Sequence, residues 1–292
     1  MLSFHDLVIR PEFSTTAVTC RDDHRGWSAA ESDDSFRVVL VRRGRFRRKV
    51  RGVCADLDST VAYLGVPEDE EQFAHPAGGD VCTSIRLAPA LWRALAGDGT
   101  PLTTSTVYVD ARLDLAHRRF LAAARSADAD YAAAEALTDL VGRVVRQAAA
   151  GPTPAGPLIP GRERALVAAA RSAIGADHPA AAGLLPLATL LKVSPYRLSR
   201  AFTRELGVSL TRYRNRVRVA RALDRLQAGE TSLGVLAADL AFADQAHLCR
   251  TMRDHLGETP TALRRLLSRP ADTTRETDPA PADLPEETAI DR

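Results

Sequence analysis

The chain has 292 residues, 45% hydrophobic and 26% charged, which points to two globular domains and excludes collagen-like and wholly disordered classes. No apolar run approaches the ~18 residues that a membrane-crossing helix needs. The net charge of +2 hides a division, because residues 1–160 sum to −2, residues 161–270 to +9 and residues 271–292 to −5, and a basic segment of this kind suits a polyanion-binding module.

The first residues, Met1-Leu2-Ser3-Phe4-His5-Asp6, lack a basic stretch followed by an apolar one, so no secretory leader is expected. Short strands dominate the first ninety positions. Residues 36–41 form a β-rich apolar run, Arg42-Arg43-Gly44 reads as a turn, and residues 45–53 alternate as a half-exposed strand should. Residues 60–66 and 81–87 are further strands, separated by a polar loop over 67–80. This texture predicts a barrel or double-sheet jelly roll.

From residue 90 helices take over. Residues 91–95 predict a short helix. Residues 110–125 carry an apolar stripe of Leu113, His117, Phe120 and Leu121, and residues 128–150 one of Leu137, Leu140, Val141, Val144 and Val145. Such helices either cover the barrel or form a dimer interface. Residues 151–161 hold four prolines and three glycines, the composition of a linker. The domains expected are 1–90, a barrel; 91–150, its helical extension; 151–161, a linker; 162–270, helical; and 271–292, an acidic disordered tail.

The helical segment contains a duplication. Leu198, Arg200, Leu206 and Gly207 recur 50 positions later as Leu248, Arg250, Leu256 and Gly257, and Leu187-Ala188 recurs as Leu236-Ala237. Each copy has helix-turn-helix logic. Ser194 and Asp244 are suited to N-cap the second helix of each pair, and Gly207 and Gly257 to end it. Leu198, Phe202 and Leu206, like Leu248, Met252 and Leu256, should face a core. Tyr196, Arg197, Ser199, Arg200 and Thr203 then fall outward in one copy, and Gln245, His247, Cys249, Arg250 and Arg253 in the other. Residues 210–226 predict one long helix between the copies, studded with Arg212, Arg214, Arg216, Arg218, Arg221 and Arg225. A rigid connector would hold two reading helices about one DNA turn apart, roughly 34 Å, and its arginines would neutralise phosphates or form a solvated face.

This arrangement resembles the AraC/XylS family of bacterial transcription regulators. The resemblance rests on Leu187-Ala188, Val193-Ser194-Pro195-Tyr196-Arg197-Leu198-Ser199-Arg200-Ala201-Phe202, Glu205-Leu206-Gly207, Leu240-Ala241-Phe242-Ala243-Asp244-Gln245-Ala246-His247-Leu248 and Leu256-Gly257-Glu258-Thr259-Pro260. It covers residues 162–267. Departures are Ala241 where the family has Gly, Ala246-His247-Leu248 for its Ser-His-Phe, and Met252 for a core Phe. The fold class implied is α+β: an N-terminal cupin-like β-barrel with appended helices, then an all-α domain of two helix-turn-helix motifs joined by a long helix.

By the resemblance, Tyr196, Ser199, Arg200, Gln245, His247, Cys249 and Arg250 read bases. Arginine suits guanine and Gln245 adenine by bidentate bonding; a surface ion pair of Arg200 with Glu205 is the alternative. Ser194, Arg197, Thr203, Arg212, Asp244 and Arg253 are the phosphate contacts, the helix N-termini included. The resemblance implies double-stranded DNA and RNA polymerase as partners, a small-molecule effector, a homodimer and an activating role, with no membrane partner.

Cys20, Cys54, Cys82 and Cys249 form no C-x-x-C pair, which points to a reducing cytoplasm rather than a disulfide framework. Cys20, His24, His75 and Cys82 offer the donor set of a zinc site or a redox pair, and His75-Pro76, Tyr63 and Arg86 a small-molecule pocket. The His-x-His ligand pair of metal-binding cupins is absent. So are G-x-S-x-G, phosphate-loop, dinucleotide and H-E-x-x-H motifs, and neither an enzyme nor a cofactor is expected. The rival reading is a cupin-type metal- or redox-binding protein whose helical half serves protein interaction.

Overall fold

The computed structural model describes residues 2–97, 102–126, 129–150 and 161–267. Its strands are β1 (Leu2–Ile9), β2 (Phe13–Cys20), β3 (Phe36–Arg43), β4 (Arg45–Val50), β5 (Val53–Asp58), β6 (Val61–Gly65), β7 (Glu71–Ala74), β8 (Asp80–Leu87) and β9 (Thr106–Tyr108). They pair antiparallel in the order β1-β2-β8-β3-β6-β5-β4-β7, with β9 against β6. The sheet forms an antiparallel half-barrel. Alternation sends Val38 and Leu40 of β3 to the convex side, and Val39 and Val41 inward with Phe46, Leu57 and Tyr63. Burial on both faces explains why β3 reads as an unbroken apolar run.

Three strand expectations change. The single strand over 45–53 is a hairpin, β4–β5, whose turn residues Arg51 and Gly52 have φ of 48° and 77°, the positive values that tight two-residue hairpins demand. The polar loop over 67–80 contains β7. Its Glu71 is fully buried, accepting from Arg48 at 2.6 Å and Arg37 at 2.9 Å. The stretch 91–150 is not wholly helical, since it supplies β9.

Helices α1 (Pro89–Ala96), α2 (Ala111–Ala123) and α3 (Ala129–Ala149) cover the convex face. Trp92, Leu113, Phe120, Leu137, Leu140, Val141 and Val144 share one cluster with Val38, Leu40 and Ile85. The amphipathic helices therefore serve as covering. Asp110 caps α2 by accepting from the Leu113 amide at 2.8 Å.

His117 on α2 is buried against the Thr83 hydroxyl at 2.9 Å. Burial lowers its pKa from 6.5 to about 4, so the unfolded chain takes up this proton first as pH falls. Stability is then full above pH 6.5 and decreases toward pH 4, by about 3 kcal/mol for this group. His117→Gln should flatten that part of a urea-unfolding pH profile; an unchanged slope would refute the assignment.

The helical part comprises α4 (Gly161–Gly175), a 3₁₀ turn at Pro179–Ala182, α5 (Leu184–Leu190), α6 (Pro195–Leu206), α7 (Leu210–Gln227), α8 (Leu233–Asp239), α9 (Gln245–Leu256) and α10 (Pro260–Leu267). Helix α7 runs unbroken for 18 residues, about 27 Å at 1.5 Å per residue. Its Tyr213 and Val217 pack with Val167, Leu187, Leu198 and Phe202. Its Val219, Leu223 and Leu226 pack with Leu236, Phe242, Leu248 and Met252. One helix is thus the spine of two small cores.

The same helix docks on the sheet domain. Arg216, 2% exposed, donates to the carbonyls of Val109 at 2.8 Å and Ser59 at 2.9 Å. Arg171 of α4 meets Asp58 at 2.6 Å and the Asp56 carbonyl at 3.0 Å. Burial alone would raise the Asp58 carboxyl, yet Arg171 and Thr60 hold it below the usual range. Ala111 and Leu115 of α2 join the second helical core. The expected linker, apart from Gly161, and the expected tail lie outside the described residues. No described helix is long and apolar enough to cross a membrane.

Candidate nucleic-acid interface

Both motifs are built by local signals. The Ser194 hydroxyl accepts from the Arg197 amide at 3.2 Å, and Asp244 from the His247 amide at 2.6 Å, each filling one unpaired amide of a helix start. Gly207 and Gly257 close α6 and α9 at φ of 71° and 81°. Leu198, Phe202, Leu248 and Met252 are fully buried beneath these helices.

The turns before α6 and α9 pass through left-handed backbone at Lys192 and Ala241, each at φ 55°. A Cβ there is strained. Ala241→Gly should therefore raise stability by about 0.5–1 kcal/mol, the relief exceeding the added freedom of the unfolded chain. Thermal melting checks this; a lower midpoint would contradict it.

The outward faces of α6 and α9 are open. Tyr196 is 68% exposed, and Arg197, Arg200, Thr203, Gln245, Arg250 and Arg253 are exposed as well. Ser199, His247 and Cys249 are half-buried at the edges of these faces. Arg200 does not pair with Glu205. It donates to the Tyr196 hydroxyl at 2.6 Å, its guanidinium 5.5 Å from the ring centre. Among the described residues no ion pair engages Arg197, Arg250 or Arg253. His247 is partly committed to the turn: its Nδ1 accepts from the Ala243 amide at 3.3 Å, and its ring meets Phe242 edge-on at 5.3 Å. Only Nε2 is left for a base.

The connector arginines divide, so α7 is neither wholly a phosphate-neutralising face nor wholly a solvated one, the two expectations for it. Arg212 is exposed and Arg214 half-buried. Arg216 is spent on the sheet domain, Arg221 pairs with Asp177, and Arg225 bonds Glu230 at 2.8 Å and Asp239 at 3.0 Å. Arg218, buried, donates to the Leu240 carbonyl at 2.7 Å and lies 3.8 Å over the Phe242 ring. Burial lowers its pKa to about 10. It braces the second turn, a role that no local sequence signal announces. Asp244, like Ser194, fills one amide of its helix start and leaves the others of that turn unpaired within the helix, though its charge opposes an anion there as the Ser194 hydroxyl does not.

The four sulfur and imidazole candidates converge only in part. One donor atom each from Cys20, His75 and Asp80 lies within 4.8 Å of the others. His24 sits behind His75, ring nitrogens 3.0 Å apart, and the Cys82 thiol donates to Asp80 at 2.9 Å. Asp80 escaped notice because it reads as the end of a polar loop. The small-molecule pocket suggested by His75-Pro76, Tyr63 and Arg86 does not assemble. Tyr63 is buried beneath Arg48, 4.4 Å from ring centre to guanidinium, and Arg86 pairs with Asp33 at 2.9 Å.

Residues 187–266 match the family described as a helix-turn-helix domain. Among solved structures, the C-terminal domain of AraT, a response regulator from Geobacillus stearothermophilus, is 25% identical, with 38% of this chain and 93% of that chain covered at a TM-score of 0.35. ToxT from Vibrio cholerae, bound to unsaturated fatty acid, is 10% identical, with 88% and 96% covered at 0.33. A cupin 2 conserved barrel domain protein from Rhodopseudomonas palustris is 19% identical, with 30% and 61% covered at 0.27. No curated protein matches the chain in sequence.

Proposed function

We propose that this protein is a sequence-specific regulator of transcription that reads double-stranded DNA through α6 and α9. The match of residues 187–266 to a helix-turn-helix domain family supports this reading, as does the resemblance of those residues to the AraC/XylS type. The carrying observation is that two capped helices, each with an open arginine-bearing face, stand on one unbroken strut. Tyr196, Ser199, Arg200, Gln245, His247, Cys249 and Arg250 are the base-reading positions. Ser194, Arg197, Thr203, Arg212, Asp244 and Arg253 are the phosphate-contact positions. The half-barrel is the sensing or pairing domain. A small-molecule effector, a homodimer, contact with RNA polymerase, activation and a cytoplasmic setting complete the reading, and rest on the family resemblance.

Binding of the full chain to its operator should weaken linearly in log affinity against log salt, with a slope of about −0.9 per phosphate neutralised. Arg212→Ala and Arg253→Ala should each reduce that slope by about one. Salt-independent binding, or none across a genomic fragment library, would end the reading. Transcription of a bound promoter in the protein's presence and absence decides whether it activates.

A further inference from the structure

Pairing of β2 with β8 sets Cys20 directly opposite Asp80, and alternation puts Cys82 on the same inward face. His75 enters from the β7–β8 loop, its ring stacked on Phe46 at 5.6 Å. Cys20, His75 and Asp80 are buried, at 5%, 9% and 5% exposure. The loop is seated by bare backbone: a Cβ on Gly79 would fall 2.1 Å from the Cys20 carbonyl oxygen, and one on Gly44 2.4 Å from that of Gly79. The donor atoms are therefore held in place by the fold itself.

Hydrogen bonding fixes the imidazole tautomers. The Gly26 carbonyl only accepts, so His24 Nδ1, 3.0 Å away, carries its ring's hydrogen. In the neutral-ring tautomer that a metal ligand at His75 Nε2 requires, His24 Nε2 accepts from His75 Nδ1 at 3.0 Å. His75 Nε2 is then a bare lone pair, and it faces Asp80 Oδ1 at 3.0 Å. That buried carboxylate oxygen has no hydrogen-bond donor, while Oδ2 is occupied by the Cys82 thiol at 2.9 Å. In that tautomer the nitrogen and the carboxylate oxygen turn lone pairs toward one point away from water, as the donors of a metal site do.

We propose that Cys20 Sγ, His75 Nε2 and Asp80 Oδ1 form a site for a divalent metal of the zinc class, with water in the fourth position. In a tetrahedral site with N and O ligands at about 2.0–2.1 Å, those two atoms stand roughly 3.3 Å apart, close to the spacing present. One thiolate and one carboxylate balance a dication, and binding sends the Cys20 thiol proton to solvent. The sulfur and nitrogen donors select zinc or cobalt over magnesium or calcium. His24 orients His75 from behind, and Cys82 orients Asp80, as outer partners of a metal site do. The site stands independently of the DNA-binding reading.

The full chain, purified reduced and metal-free, is titrated with Co²⁺ and then Zn²⁺. One equivalent of cobalt should produce a thiolate-to-cobalt charge-transfer band that zinc abolishes. The band should persist in Cys54→Ser/Cys249→Ser and vanish in Cys20→Ser. His24→Gln should weaken the metal about tenfold to a hundredfold. Absence of the band in the folded wild-type chain overturns the proposal whatever the variants do. So does a band that survives Cys20→Ser or that is lost with Cys249.

Discussion

Replacing Arg216 with alanine should cost the folded protein about 3–5 kcal/mol and split one urea-unfolding transition into two. Arg216 belongs to the spine of the helical domain, yet its guanidinium bonds the Val109 and Ser59 carbonyls of the sheet domain at 2.8 Å and 2.9 Å and stands 3.7 Å from Asp114. Truncation strands two carbonyls without donors and removes a positive charge beside a largely buried carboxylate. Asp114 would be raised by burial, but Arg216 and Arg118 keep it low; with Arg216 gone, only Arg118, at 3.3 Å, remains from that pair. The cores of the helical domain contain no atom of that guanidinium, so each domain should unfold on its own once docking is lost. A single transition at the original midpoint would show that the contact contributes nothing to docking.

Arg200→Ala and Arg250→Ala should each weaken operator binding by about 1–3 kcal/mol, roughly 5- to 150-fold, with the loss confined to one base pair. The two arginines occupy equivalent places on α6 and α9, fifty residues apart, and both are exposed. Arg200 is held by Tyr196 across one helical turn, which limits the rotamer freedom lost on binding. Arg250 has no such brace, because Ala246 stands four residues before it. Tyr196→Phe should therefore weaken binding less than Arg200→Ala while leaving the preferred base unchanged. Operator libraries with every base at each position measure this directly. Equal loss on all sequences would reassign both residues to phosphate.

The helical half was largely legible in advance because its signals are local. Caps, left-handed glycines and a 3.6-residue stripe act within a few residues of one another, and a fifty-residue duplication repeats them. Ala241 could be singled out the same way, since a turn that prefers glycine constrains one backbone angle. The candidate interface followed, because an outward position on a helix is fixed once the inward ones are known.

The sheet half was legible where a strand is buried on both faces, as in β3, or alternates cleanly, as in β4. Strand β1 escaped because it is an edge strand, mostly exposed and without alternation. Strand β7 escaped because one of its two buried residues is a glutamate. Arg48 and Arg37 make that burial tolerable, and they lie 23 and 34 positions away in the chain. Asp80 was hidden likewise, since its meaning depends on Cys20 across the sheet and His75 in the loop.

From sequence alone came the two helix-turn-helix motifs, their caps, their spine and the basic charge of that half. Only the tertiary structure decided which arginines of the spine are spent within the protein, and that a carboxylate joins a thiol and an imidazole inside the half-barrel. Helix faces are set by neighbours along the chain, whereas the partner of a buried charge is set by whatever residue folding brings within a few ångströms of it.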